Sequence, residues 1–306
     1  MSKSVRVILF VFLGISCLSG YVNGPVALLL GFLFTNFVGN PFSEYNQKAV
    51  NWMLKIGVVG LGFGISVNEA LEAGSTGLTF TLISIVGILV VGIFLGRLLR
   101  LDPKMAHLLS VGTAICGGSA IAATAPVIQA KESSISMALG VVFLLNAVAL
   151  FLFPVIGHAL ELSQHTFGMW SAIAIHDTSS VVGAADTYGV EALKVATTVK
   201  LARTLWIIPV SLLSMLLYRS TKGKLRLPWF IGLFALAVLL NSYGSFPLEW
   251  SSIIVKGSRL LLVLTLFLVG AGLSFEKMKA AGWKPMLLGV LLWVLISCFS
   301  LVLLIE

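Results

Sequence analysis

One stretch limits this chain more than any other: Gly112-Thr113-Ala114-Ile115-Cys116-Gly117-Gly118-Ser119-Ala120-Ile121-Ala122-Ala123, inside an apolar segment, 104–130, long enough to cross a bilayer. Glycine in a helix interior is roughly 1 kcal/mol less favourable than alanine, and here two stand together. In lipid, broken backbone persists only where protein or a water-filled cavity satisfies its polar groups. Paired breaks of this kind in corresponding halves of a membrane protein point to a transport site. The segment therefore predicts a discontinuous membrane helix.

Lipid must be the main solvent. Of 306 residues, 58% are hydrophobic and only 10% charged, against about 25% charged in a soluble domain. Apolar segments fall at 5–19, 24–39, 48–67, 77–99, 104–130, 133–158, 165–187, 190–218, 227–241, 251–273 and 284–305. The reading is a single all-α polytopic membrane domain over 1–306, with about 11 transmembrane segments and no soluble appendage. The first segment reads as a membrane helix, although Lys3 and Arg6 before it and Ser19-Gly20 after it also fit a cleaved signal peptide. Cys17, Cys116 and Cys298 all lie in apolar runs without metal-ligand spacing, so neither a metal nor another cofactor is expected.

If all segments cross, the loops on the N-terminal side hold Lys3, Arg6, Lys48, Arg97, Arg100, Lys104, Arg219, Lys222, Lys224, Arg226, Lys277, Lys279 and Lys284. The opposite side holds Lys131, Lys194, Lys256 and Arg259. Lys and Arg concentrate on the cytoplasmic side. The expectation is a multi-pass protein of the inner (plasma) membrane, N-terminus cytoplasmic and C-terminus external. The basic run 219–226 is then a topology signal, and no nucleic-acid partner is expected.

An internal repeat supports this count. Leu61 to Gly74 aligns without a gap on Val269 to Gly282, matching glycines at 62/270, 64/272 and 74/282 and serines at 66/274. The flanking segments extend the match to repeat halves of 24–99 and 227–305. An odd number of crossings separates the copies, so their topology is inverted, as in secondary transporters. Their loops agree: Glu69 and Glu72 make one acidic and external, Lys277 and Lys279 make the other basic and internal. A second similarity, Ala114–Ala125 on Ala174–Ala185, continues into Ala147/Ala202, Leu150/Leu205 and Pro154/Pro209. Two segments apart, these copies should run parallel, unless one of them does not cross simply.

The strongest polar constellation is His176-Asp177-Thr178-Ser179-Ser180, halfway along segment 165–187. Ionisable groups at this depth face a cavity or a partner. Lys200 and Arg203 lie at similar depth, one helical turn apart and on one face. An ion pair between Asp177 and either cation would lock two helices together. The functional alternative notes that two buried cations face one carboxylate, an imbalance that a small anion would relieve. Candidate substrate-binding residues are Thr113, Cys116, Gly117, Gly118, Ser119, Thr178, Ser179, Ser180, Lys200 and Arg203; His176 and Asp177 are candidates for ion coupling. Half-helix N-termini at the breaks would add amide donors. Lys55, Asn51, Asn146 and Gln129 rank below these, as snorkelling or interhelical groups. Trp52, Trp170, Trp206, Trp229, Trp250 and Trp283 suit interface anchors. No nucleophile elbow, Walker lysine loop or HExxH is present, so enzymatic activity is not expected.

Thr113 to Ala123 together with Ala174-Ile175-His176-Asp177-Thr178-Ser179-Ser180-Val181-Val182-Gly183-Ala184-Ala185 resembles the YeiH-type sulfate exporter family, catalogued among conserved hypothetical membrane proteins, over nearly the whole chain. The motifs are more distantly similar to the bile acid:sodium symporter and cation-proton antiporter superfamily. That resemblance implies a panel-plus-core architecture with discontinuous crossing helices and alternating access. It also implies a small anion substrate (sulfate, sulfite or an organic sulfonate), with proton or sodium as the coupling ion. The proline that often precedes the double glycine and the glutamate near the second break are lacking here, so the symporters' sodium sites do not carry over. A cation/proton antiporter is the alternative. The surrounding partner is the lipid bilayer, and a homodimer is compatible with such a surface.

Overall fold

The computed structural model describes residues 3–218, 229–244, 247–273 and 282–305, without the side chains of residues 3, 72–80 and 248. The basic run 219–226 and Ser274, Lys277 and Lys279 of the second repeat copy lie outside the described residues, as does the side chain of Glu72. The described elements are helices. In order they are α1 (Lys3–Cys17), α2 (Gly24–Phe37), α3 (Ser43–Leu61), a 3-10 turn (Gly62–Gly64), α4 (Val67–Leu98), α5 (Pro103–Ala114), α6 (Gly118–Val127) and α7 (Glu132–Ala159). Then follow α8 (Gln164–Ala174), α9 (Thr178–Tyr188), α10 (Val190–Thr204), α11 (Ile207–Leu217), α12 (Trp229–Tyr243), α13 (Leu248–Gly272) and α14 (Trp283–Ile305). Five stretches are long and apolar enough to span a membrane: Thr81–Leu98, Glu132–Ala159, Val190–Leu217, Glu249–Gly272 and Trp283–Ile305. The chain is an all-α polytopic membrane protein.

Local chemistry fixes the helix starts. Ser66 and Glu69 form a capping box at α4, and Asp102 caps α5 with Pro103 in its first turn. Pro209 has no amide to return to Leu205, whose carbonyl accepts from the Ile208 amide at 3.2 Å instead, and α10 and α11 are separate helices within one bent span. Helices α1, α2, α3, α12 and α13 pack on one another, while α4, α7, α10 and α14 surround the elements between them. Trp170 is a correction to the expected interface anchors: it is buried, stacked on Phe153 at 4.2 Å, and donates through Nε1 to the Ser297 carbonyl at 2.9 Å.

Segment 104–130 contains two helices and enters and leaves on one side. Lys104 Nζ, at the head of α5, donates to the Gln129 carbonyl beyond the end of α6 at 3.0 Å. A straight helix would hold those residues about 38 Å apart. Segment 165–187 doubles back in the same way. At its base the Tyr188 ring stacks on Phe167 at 3.8 Å, the Tyr188 hydroxyl donates to the Leu162 carbonyl at 2.6 Å, and Gln164 Oε1 accepts from the Glu191 amide at 3.0 Å. Both discontinuous segments are re-entrant hairpins.

The hairpin tips meet. A Cβ on Gly117 would stand 3.3 Å from His176 Cβ and 3.4 Å from Asp177 Cβ. The first arms, 12 and 11 residues long, measure about 18 and 16 Å. Placed tip to tip they cover the ~30 Å hydrocarbon core. Only α7 crosses between the hairpins, so they enter from opposite faces. This removes the conflict in the second similarity. Ala114 and Ala174 end the first arms, Gly118 and Thr178 begin the second, and the gapless alignment lays break on break.

Positions aligned by the longer repeat make matching contacts. Gly270 packs against the Leu28 carbonyl of α2, and Gly62 against the Phe234 carbonyl of α12. Asn36 of α2 donates to the Leu273 carbonyl at 3.3 Å, and Asn241 of α12 donates to the Ile65 carbonyl at 3.2 Å. In each case a side-chain amide satisfies a carbonyl where a helix has just ended.

Candidate functional site

The breaks survive in lipid because nearby side chains take up the freed backbone groups. On the first hairpin, the Gly117 amide returns to the Gly112 carbonyl at 2.8 Å and Ile115 to Val111 at 3.1 Å. The Ala114 carbonyl accepts from Arg203 Nε at 2.8 Å, and Ser84 Oγ holds Arg203 Nη1 at 3.1 Å. Gly117 has φ +62, a backbone state that L side chains rarely adopt. On the second hairpin, Lys200 Nζ donates to the carbonyls of Ala172 at 3.2 Å and Ile175 at 2.7 Å. Each cation thus sits at the negative end of a half-helix. They lie one turn apart on α10, so a single helix face holds both hairpins.

Asp177 caps α9. Its carboxylate accepts from the Ser180 amide at 2.6 Å, Ser179 Oγ at 2.8 Å, Ser180 Oγ at 3.2 Å and Asn146 Nδ2 at 2.6 Å. The other end of the Asn146 amide accepts from the backbone of His176 at 3.1 Å and Asp177 at 3.4 Å. Asn146, on α7, is therefore the clamp of the second tip. Among the described residues no salt bridge joins Asp177 to Lys200 or Arg203. Half-helix carbonyls accept from both cations, while Arg203 Nη2 is buried without a hydrogen-bond partner among the described residues.

A cavity of about 730 Å³ reaches both tips. Cys116, Gly118 and Ser119 line it from the first hairpin, Asp177, Thr178 and Ser179 from the second. α6 begins at Gly118, and its N-cap Gly117 has no side chain to cap it, so the Gly118 and Ser119 amides, at the cavity lining, have no intrahelical partner. The opposite wall carries Gln47, Asn51 and Lys55 from α3 and Trp229 from α12. Lys55 Nζ lies over the Trp52 and Trp229 rings at 5.4 and 5.5 Å, within cation–π range. Leu139 and Phe143 of α7 close the side nearest Gly118. The cavity opens beside the starts of α3 and α12 and the end of α13, the same side as the base of the first hairpin.

A second void lies on the opposite side. Lys194 of α10 pairs with Glu69 of α4 at 2.8 Å beside this smaller void of about 230 Å³. Burial pushes the Glu69 carboxyl up, but hydrogen bonds from Lys194 and Ser66 and the lysine's charge outweigh it and leave it below the ordinary glutamate value. Among the described residues no cluster of His, Cys, Asp and Glu could hold a metal ion.

Comparison with known proteins gives the family. The protein-family model described as conserved hypothetical protein 698 matches residues 6–289. A UPF0324 membrane protein of Bacteroides thetaiotaomicron is 49% identical over 94% of this chain and 88% of its own length. One from Photobacterium profundum is 50% identical over 96% and 90%, and one from Shewanella oneidensis 48% over 98% and 95%. The chain belongs to the UPF0324 family of membrane proteins. No solved structure matches it.

In this UPF0324 member the sequence-derived candidates divide in two. Cys116, Gly118, Ser119, Asp177, Thr178 and Ser179 line the cavity. Lys200, Arg203, Ser180 and His176 are buried behind the tips, as is Thr113, and none of these belongs to the lining. Gly117 lies between the tips themselves. Sequence reasoning underrated the α3 wall, although Gln47, Asn51 and Lys55 recur every four residues and so mark one helix face.

Proposed function

We propose that this UPF0324 protein is a secondary active transporter of a small anion working by alternating access, coupled to protons or sodium. The observation that supports it best is the pair of opposed hairpins whose tips meet at the floor of one cavity. Two broken helices meeting at mid-membrane are needed by a carrier that exposes one site to each face in turn; a scaffold has no use for them. The uncapped start of α6 presents amides and a positive dipole end to the cavity, and Lys55 adds a cation. Arg203 and Lys200 act at a distance, by holding the half-helices that form the floor. Asp177 is the coupling candidate, since its carboxylate reaches both the cavity and the tip.

The positive-inside rule puts the N-terminus in the cytoplasm. With the hairpins doubled back, Lys131 joins the cytoplasmic set, which strengthens the bias, and the cavity opens inward. The repeat halves 24–99 and 227–305 are read as inverted copies of one ancestral unit.

Purified protein in liposomes should show saturable, gradient-driven uptake of a small anion that empty liposomes lack. Absence of any anion flux under imposed proton and sodium gradients would refute the reading. A cation/proton antiporter is the second reading, because Asp177 is the one carboxylate residue among the lining residues described. Cation-dependent proton flux in a medium holding only impermeant anions would favour it.

A further inference from the structure

We infer that the solute this cavity accepts is an organic monoanion, a sulfonate or carboxylate head on a short apolar body bearing a hydrogen-bond donor, and not a bare inorganic dianion. The inference rests on the transporter reading above and narrows it. Three observations carry it.

The first is where the donors lie. A doubly charged oxyanion gives up a large hydration energy on all sides and needs donors all round it. Here the floor supplies the amides of Gly118 and Ser119 with the hydroxyl of Thr178, since Ser179 Oγ already donates to Asp177; the facing wall carries Gln47, Asn51 and Lys55, and the side next to Gly118 is hydrocarbon. A Cβ on Gly118 would stand 3.3 Å from the Phe143 ring and 3.4 Å from Leu139. A head group at those amides therefore has its remaining volume against apolar side chains. The second is charge. The Asp177 carboxylate shares the floor, and it repels a dianion about twice as strongly as a monoanion at the same place. The third is Asn46. Its Nδ2 is spent on the Leu268 carbonyl at 2.8 Å, yet its Oδ1 is buried without a partner, and the residue belongs to the cavity lining. An orphaned buried acceptor is unfavourable and asks for a donor, which sulfate lacks. The volume, about 730 Å³, falls in the range of organic-ligand pockets.

Isothermal titration of the full chain in nanodiscs tests this, with methane-, ethane-, propane- and butanesulfonate, butyrate, a hydroxyl-bearing butanesulfonate, and sulfate. Affinity should rise about fourfold per methylene along the sulfonates, with the hydroxylated compound tighter than its parent and sulfate unable to compete. Phe143→Ala should flatten the chain-length series and Phe143→Leu largely keep it, which separates lost packing from misfolding. Asn46→Ala should abolish the preference for the hydroxyl while leaving the series intact. Tight sulfate binding with the organic anions excluded would overturn the inference and leave the transporter reading standing. If neither class binds and no anion moves in liposomes, both fall together.

Discussion

Asn146 and Arg203 show how much of this site depends on single side chains. Asn146 answers two amides and one carboxylate at the second tip, and an orphaned buried group is worth about 1–3 kcal/mol. Asn146→Leu should therefore lower the thermal midpoint in detergent and remove transport. Asn146→Asp, which sets a second carboxylate against Asp177, should be at least as damaging; an unchanged midpoint in both would refute the clamp. The sequence suggested that Arg203 touches the solute, so that its loss would spare the fold. The structure instead has it holding the Ala114 carbonyl. Arg203→Ala should lower stability as well as uptake, by about 1–3 kcal/mol for that carbonyl alone. Depth and charge at Lys200 and Arg203 were legible in the sequence. Their partners were not, because a helix-end carbonyl leaves no mark in side-chain identity.

At the level of elements, Gly117 is the point where the two hairpins touch. With φ +62 it stands in a backbone state that favours glycine, and a non-Gly residue held there is strained by about 1–3 kcal/mol. Its Cβ would also meet Val142 at 3.0 Å and both break residues of the second hairpin. Gly118, at the first helical position of α6, would meet only the side chains of Phe143 and Leu139, which can shift. Gly117→Ala should thus reduce both the thermal midpoint and transport well below the level of Gly118→Ala. Equal effects of the two would contradict tip-to-tip contact. The break itself was legible, and the gapless alignment of 114–125 on 174–185 even fixed its register. That each segment folds back was not, since hydropathy is the same for a hairpin and a crossing. The clue was the failed parity: similar segments two apart ought to run parallel, and only a segment that does not cross lets them be inverted.

For the whole molecule, the hairpins change which loops share a face, and this makes the topology testable at two positions. A straight path through 104–130 would put Lys131 opposite Lys104 and return the chain to the cytoplasm near Leu160. Doubling back keeps Lys131 with Lys104 and sends α7 outward, so Leu160 lies outside. Both positions are exposed. In a chain with Cys17, Cys116 and Cys298 changed to serine, Leu160→Cys should react with a membrane-impermeant maleimide on intact spheroplasts. Lys131→Cys should react only after permeabilisation. With the N-terminus inside, the Tyr188–Leu162 and Lys104–Gln129 contacts require this pattern, since each joins the two ends of one segment on one face. The opposite labelling, with Lys104→Cys still protected until permeabilisation, would mean that both segments cross, that the tips cannot meet from opposed faces, and that the cavity has no floor on which to bind an anion.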